Sequence, residues 1–313
     1  MQTFLHLWYN QAMKIQSLSV VVPNKGCINK CPFCVSRMVN SNVYENRMDI
    51  NHPHYDINVR EYLKRLRFVA DNGCQTIMLT GTSEPQQNKQ FLATFALLHQ
   101  TIGFPFTNIE MQTTGFGLDK DRDYLRFLRN FVGVNTIALS INSPISATNC
   151  EILGHPCTEH PVTGKVIPKF RIGQLCDNLK DYDFNIRICF NLTSEFDKYT
   201  TWELFDWAKA WHANQITFRG LYVSDKETPQ GKWIEEHMVS AETIERIKEF
   251  LANQPILGKT PYGATCHDVD GMSVMFDDDC MGKNPETDVL KYLILRPNCH
   301  LYSQWDSKAS LVN

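Results

Sequence analysis

Three cysteines lie within eight residues near the start of the chain, in the order Cys27, Cys31 and Cys34. Thiolates are the usual ligands of iron–sulfur clusters, and a cubane [4Fe–4S] cluster needs four ligands. With three cysteines, one iron keeps an open position for a substrate or cofactor, whereas an electron-transfer cluster would close that position. The spacing alone also permits a zinc loop or three unrelated buried thiols, although a zinc site usually has a fourth ligand in register.

The cysteines follow a buried strand, and five further strands alternate with helices along the chain. The strands are short runs rich in β-branched and apolar residues, at 17–22, 76–80, 108–112, 136–141, 185–192 and 215–221. The helices have apolar residues at helical spacing, at 58–72, 91–101, 121–131, 172–179, 202–211 and 241–251. This alternation predicts parallel βαβ units in an α/β fold. Six units favour a partial (β/α)6 barrel over a closed eight-unit barrel.

The chain is expected to divide into three parts. These are an N-terminal extension at 1–16, the barrel core at 17–222, and a C-terminal α/β extension at 223–313 that helps close the barrel mouth. Short runs at 272–276, 292–295 and 300–305 predict antiparallel strands in the tail. The proline-containing segment 143–169 is expected to be irregular, and loops of that length are usually functional or partly disordered.

The CxxxCxxC pattern of Cys27, Cys31 and Cys34, placed after the first strand of a sixfold α/β barrel, resembles the signature of the radical S-adenosylmethionine (SAM) superfamily. The resemblance covers residues 17–222. It implies that the three cysteines hold a [4Fe–4S] cluster whose open iron binds SAM. An electron from the reduced cluster would cleave SAM to a 5′-deoxyadenosyl radical, which abstracts hydrogen from a substrate. Phe33 would pack near the adenine, and an electron donor such as flavodoxin or ferredoxin would be a partner.

The second strand ends in Gly81-Thr82-Ser83-Glu84-Pro85, at the edge where parallel α/β folds carry their sites. This sequence resembles the Gly-Gly-Glu motif of the superfamily, which binds the ammonium group of SAM. Ser83 stands where a second glycine is usual, and Thr82 is added. The resemblance nevertheless assigns SAM contacts to Thr82, Ser83 and Glu84; the alternative is an ordinary strand-to-helix turn.

Polar residues at the ends of later strands are further candidates for SAM contacts. Along the fifth strand Arg187, Cys189 and Asn191 share one face, and the apolar face opposite should turn toward the helices. A buried arginine needs an anionic partner such as a carboxylate or phosphate. By position and resemblance, the expected contacts to SAM are Gln112, Ser140, Asn142, Arg187, Asn191, Arg219 and Leu221.

The remaining cysteines are expected to be structural. The spacing of Cys150, His155, Cys157 and His160 matches no familiar zinc pattern. The tail residues Cys266, Cys280 and Cys299 are too widely spaced for an auxiliary iron–sulfur cluster. Cys74, Cys176 and Cys189 are interpreted as core thiols. The run at 277–279 is interpreted as a solvated acidic turn.

The composition and charge limit the classes of function that are expected for this protein. A net charge of −3 over 313 residues gives no global reason to bind nucleic acid. The chain has neither an apolar run long enough to span a membrane nor the pattern of a signal peptide, so a cytoplasmic protein is expected. Arg187 and Arg219 favour a small anionic metabolite or nucleotide as substrate. The alternatives are a peptide- or nucleic-acid-modifying radical SAM enzyme and, from another class, a non-catalytic iron–sulfur electron carrier.

Overall fold

The computed structural model describes residues 14–38, 57–260, 264–277, 289–305 and 307–312. Of the expected N-terminal extension, only 14–16 lie among them. The strands are β1 (Lys14–Ile15), β2 (Ser17–Val21), β3 (Thr76–Thr80), β4 (Asn108–Thr113), β5 (Thr136–Ile141), β6 (Cys157–Glu159), β7 (Val166–Pro168), β8 (Asn185–Leu192), β9 (Gln215–Gly220), β10 (Ile256–Lys259), β11 (Thr265–Val269), β12 (Met272–Asp277), β13 (Val289–Leu290), β14 (Leu293–Leu295) and β15 (Leu301–Tyr302).

The helices alternate with the central strands as the sequence predicts. They are α1 (Val35–Met38), α2 (Val59–Asp71), α3 (Lys89–Thr101), α4 (Arg122–Phe127), α5 (Ser146–Leu153), α6 (Ile172–Asp181), α7 (Thr201–Ala210), α8 (Pro229–Glu236) and α9 (Ala241–Ala252). Asn58, Asn88 and Thr200 cap the starts of α2, α3 and α7 by accepting a backbone N–H of the first turn. The predicted helix at 121–131 is α4 followed by a wider turn that ends at Val132.

One large sheet runs through the molecule in the order β10-β11-β12-β9-β8-β5-β4-β3-β2-β14-β15. The run from β12 to β14 is parallel throughout, so it contains eight parallel strands rather than the six predicted. β12 and β14 come from the tail and were expected to be only antiparallel; each has one antiparallel neighbour and one parallel neighbour in the core. Among the described residues the sheet is open, with β10 and β15 at its edges.

The two faces of β8 differ in chemistry, as its alternating sequence predicts. Ile186, Ile188 and Phe190 are buried in the main hydrophobic core, which also includes apolar residues of the helices. Arg187 and Asn191 lie on the opposite face. The helices therefore cover the apolar face, and the polar face is available to build a site.

The segment 143–169 is more regular than expected. It forms α5 and the β6–β7 hairpin, which pairs Cys157 with Pro168. α5 begins without a side-chain cap, so its sequence lacks the usual signal for a helix start. Within the described residues, no helix is long and apolar enough to cross a membrane.

Candidate active site

The three cysteines lie on the loop that joins β2 to α1, which we call the cysteine loop (residues 22–34). Cys27 is exposed, and Cys31 and Cys34 are half-buried. The backbone N–H of Cys34 donates to the Cys31 carbonyl at 3.3 Å, so the loop turns tightly into α1. Burial, together with the nearby charges of Cys34 and Cys27, raises the pKa of Cys31 to about 12.

The three thiols of the loop lie near one another, since the charges of Cys34 and Cys27 both act on Cys31. Among the described residues, no three His, Cys, Asp or Glu side chains are placed to share one ion. In a cubane each cysteine binds a different iron, so three neighbouring thiols need not point at one common position to hold such a group.

Glu84 lies directly beneath the cysteine loop. It follows β3, is only 3% exposed, and its Oε2 accepts hydrogen bonds from Asn29 Nδ2 at 2.8 Å and from Thr114 N and Oγ1 at 3.1 and 3.0 Å. Its Oε1 is buried with no hydrogen-bond partner. Burial raises the pKa of this carboxyl above its ordinary value. A buried carboxylate oxygen without a partner is costly, and a cationic ligand group would satisfy it.

Asn29 connects the cysteine loop to three other segments. Its side chain bonds Glu84, and its Oδ1 accepts from Thr114 Oγ1 at 3.2 Å and lies 2.7 Å from His155 Nε2. Asn29 is 4% exposed and His155 is 5% exposed. Sequence reasoning missed both residues as site components, because these partners lie 55 to 126 residues from Asn29 along the chain.

Thr82 and Ser83 lie in the turn that packs against the start of the cysteine loop. Asn24 Nδ2 donates to Ser83 Oγ at 2.8 Å and to the Glu84 carbonyl at 3.0 Å. Thr82 Oγ1 is buried with no hydrogen-bond partner. At Gly81 a Cβ atom would lie 3.0 Å from the Val22 carbonyl oxygen, so glycine permits the close approach of the two segments.

Arg187 has its anionic partner within the chain. Its Nη1 pairs with Glu110 Oε2 at 2.5 Å, and its Nε donates to Gln215 Oε1 at 2.7 Å. Gln112 Nε2 joins the same group by donating to Glu110 Oε1 at 3.2 Å. Glu110 therefore supplies the carboxylate that the sequence analysis required for Arg187, and these residues form an ion-pair layer across β4, β8 and β9.

The ends of β5, β8 and β9 bring other expected contact residues together. Asn191 Nδ2 donates to Asn142 Oδ1 at 3.2 Å, and Asn142 Nδ2 is buried with no hydrogen-bond partner. Arg219 is the register neighbour of Asn191, and Leu221 follows the end of β9. Ser140, near the end of β5, is half-buried.

Phe33 makes an aromatic contact with α8. Its ring lies 5.6 Å from that of Trp233, which stacks on His237 at 4.1 Å. Beside these rings a cavity of about 580 Å³ is lined by residues that include Lys30, Pro32, Glu195, Trp233 and His237. Its size is typical of small-molecule sites, and Lys30 and Pro32 place it against the cysteine loop.

The other cysteines are distributed through the fold. Cys74, Cys176 and Cys189 are buried, which confirms their prediction as core thiols. Cys266 lies in β11, and Cys299 precedes β15 at the opposite end of the sheet order. Cys280 and residues 278–279 of the predicted acidic turn lie outside the described residues.

A loop with three thiols thus lies at the carboxyl edge of a parallel α/β sheet, above a buried carboxylate with one oxygen unpaired. Residues 21–152 match the family model of the Radical SAM superfamily. The match begins at the end of β2, includes the cysteine loop and Glu84, and ends in α5. The chain therefore carries a domain of this superfamily, which uses a [4Fe–4S] cluster and SAM. None of the curated proteins matches the chain.

Proposed function

We propose that the protein is a radical SAM enzyme that reductively cleaves SAM and abstracts hydrogen from a substrate. The observation that carries the proposal is the direct hydrogen bond from Asn29, between two of the cysteines, to Glu84, whose second oxygen is unpaired. This bond couples the expected cluster loop to the expected SAM site. When bound, the cluster would supply the electron that cleaves the S–C5′ bond of SAM and so generates the 5′-deoxyadenosyl radical.

The chain's own residues would hold and orient the two cofactors. Cys27, Cys31 and Cys34 are the proposed ligands of the cluster. Glu84 Oε1 is proposed to accept a hydrogen bond from the SAM ammonium group, since a charged donor would offset the cost of burying that oxygen. The buried, unpartnered Oγ1 of Thr82 and Nδ2 of Asn142 offer further polar contacts. Ser83, Gln112, Ser140, Asn191, Arg219, Leu221 and Phe33 remain candidates by position.

The substrate is proposed to be a small anionic metabolite or nucleotide that enters the cavity beside the cysteine loop. Arg187 supports an anionic substrate less strongly than the sequence alone suggested, because Glu110 already balances its charge. Lys30 supports it more, because it lines the cavity and immediately precedes Cys31. We further propose that residues 17–222 curl into a partial barrel, that 223–313 help close its mouth, and that a flavodoxin or ferredoxin supplies the electron.

The test of this proposal is the cleavage of SAM without substrate. Cluster-loaded protein reduced with dithionite should slowly form 5′-deoxyadenosine and methionine. Cys31→Ala should lose this activity, because loss of one thiolate removes or alters the cluster. Cys74→Ala is the matched control. Cys74 is buried and lies outside the cysteine loop, so its substitution should affect only stability. If wild type reduces its cluster but forms no 5′-deoxyadenosine, the electron-carrier alternative becomes the better interpretation.

Glu84 is tested separately by SAM binding. Glu84→Ala should weaken SAM affinity by roughly 10- to 150-fold, because a charge-assisted hydrogen bond contributes about 1.5–3 kcal/mol. Calorimetry on the cluster-loaded variant measures the affinity, and its iron content shows whether the cluster is intact. An unchanged affinity with a full complement of iron would show that Glu84 does not contact SAM.

A further inference from the structure

Two further thiols, those of Cys150 and Cys157, lie next to the cysteine loop. Cys150 is in α5 and is fully buried, whereas Cys157 begins β6 and is half-buried. Cys150 Sγ donates to the Phe170 carbonyl at 3.7 Å and Cys157 Sγ to the His155 carbonyl at 3.6 Å. Burial raises the pKa of Cys150, and the neighbouring Cys157 thiol adds to that rise. Neither is among the residues proposed to bind the cluster or SAM.

The backbone holds these two residues close together. Gly154 ends α5 in the left-handed conformation at φ 66°, and the N–H of His155 donates to the Cys150 carbonyl at 2.8 Å. β6 then packs against α5 and pairs with β7. The turn and the hairpin therefore hold the backbones of the two residues near each other.

We propose that Cys150 and Cys157 are a disulfide-forming pair, oxidised by a low-molecular-weight disulfide such as oxidised glutathione. Cys157 is the accessible residue, so its thiolate attacks the glutathione disulfide, forms a mixed disulfide and releases one glutathione. The Cys150 sulfur then attacks Cys157 Sγ and releases the second glutathione. Two protein thiols lose two electrons in total, one disulfide gains them, and the two thiol protons pass to the released glutathione thiolates.

The position of the pair gives it access to the cysteine loop. Leu153 accepts a backbone hydrogen bond from Lys30 at 2.8 Å, and His155 contacts Asn29 at 2.7 Å. Both Leu153 and His155 lie between Cys150 and Cys157 along the chain. A disulfide would thus close a small covalent ring that contains two of the residues that support the loop.

Peptide mapping of cluster-loaded protein tests the proposal. The protein is treated anaerobically with oxidised glutathione, quenched in acid, alkylated in denaturant, and digested with trypsin and a protease that cleaves after glutamate. Cleavage after Glu151 places Cys150 and Cys157 on different peptides, each with a single cysteine. We expect most of the Cys150 peptide to be recovered joined to the Cys157 peptide, and dithiothreitol to separate them.

Two variants show whether the link is specific. Cys157→Ser should abolish the joined peptide and leave Cys150 alkylated. Cys266→Ser removes another half-buried thiol, in β11, and should leave the joined peptide unchanged. The proposal is overturned if Cys157 carries only glutathione while Cys150 stays alkylated, if Cys150 is joined to another cysteine, or if neither residue reacts.

Discussion

Replacing Asn29 by alanine should loosen the cysteine loop without removing any of its thiols. The side chain of Asn29 is nearly fully buried and makes hydrogen bonds to Glu84, Thr114 and His155. Its backbone N–H, which donates to Cys27 Sγ at 3.4 Å, is unaffected by the substitution. The variant therefore isolates the contribution of one amide to the support of the loop.

The magnitude follows from the three contacts. A hydrogen bond to a carboxylate contributes about 1.5–3 kcal/mol, and each of the two neutral bonds about 0.5–1.5 kcal/mol. Because the three bonds share one network, they are not additive, and we expect a loss of about 3 kcal/mol in the free energy of unfolding. At about 2 °C for each kcal/mol, the melting temperature of the cluster-free protein should fall by about 6 °C.

Two assays measure the effect of the substitution. Calorimetry of the cluster-free protein gives the melting temperature, and a chelator measures the rate of iron release from the loaded protein. If the whole loss of free energy acts on opening of the loop, iron release should accelerate by up to about 150-fold. Asn253→Ala is the control: Asn253 is exposed, its Nδ2 donates to the Glu249 carbonyl, and its loss should change stability by less than about 0.5 kcal/mol. Equal melting temperatures and equal iron release for the two variants would refute the assigned role of Asn29.

Three further predictions follow from the same site. Burial lowers the pKa of His155 from 6.5 to about 4, so the unfolded state binds its proton more tightly and stability should fall as the pH drops from about 6.5 to 4, by up to about 3 kcal/mol. Urea unfolding of cluster-free wild type and His155→Gln at several pH values measures this; equal pH dependence would contradict it. Arg187→Met leaves the buried Glu110 carboxylate without its cationic partner and should lower the free energy of unfolding by about 3 kcal/mol. The double variant with Glu110→Gln should recover part of this loss. If urea unfolding shows that the losses of the two single variants simply add in the double variant, the pair is not coupled. Reconstituted protein should contain about four irons per chain, whereas an iron assay close to eight would show that other cysteines also bind a cluster.

The central strands were predictable because each is a short, continuous apolar run that is buried in the sheet. All six predicted strands form, and their bounds shift by at most one residue. The parallel pairing of β12 and β14 was not predictable. Neither is part of a local βαβ unit, and periodicity within a strand says nothing about which distant strand pairs with it.

The cysteine loop and Glu84 were predictable because their spacing in the sequence carries the signal. The network around them was not, since Asn29 and His155 are single polar residues whose partners lie far along the chain. Arg187 shows the limit of reasoning from charge. The sequence indicates correctly that an inward-facing arginine needs an anion, but only the register of β4 and β8 identifies that anion as Glu110.

The placement of β12 and β14 also bears on how the chain is made. β14 covers the free side of β2, and β12 covers the free side of β9. Both strands are synthesised after the six central strands, so the nascent sheet carries two unpaired backbone edges until the tail emerges from the ribosome. Unpaired edges readily join strands of other chains. Correct folding of this protein therefore depends on the last strands to be synthesised, which cover both edges of the six-stranded sheet.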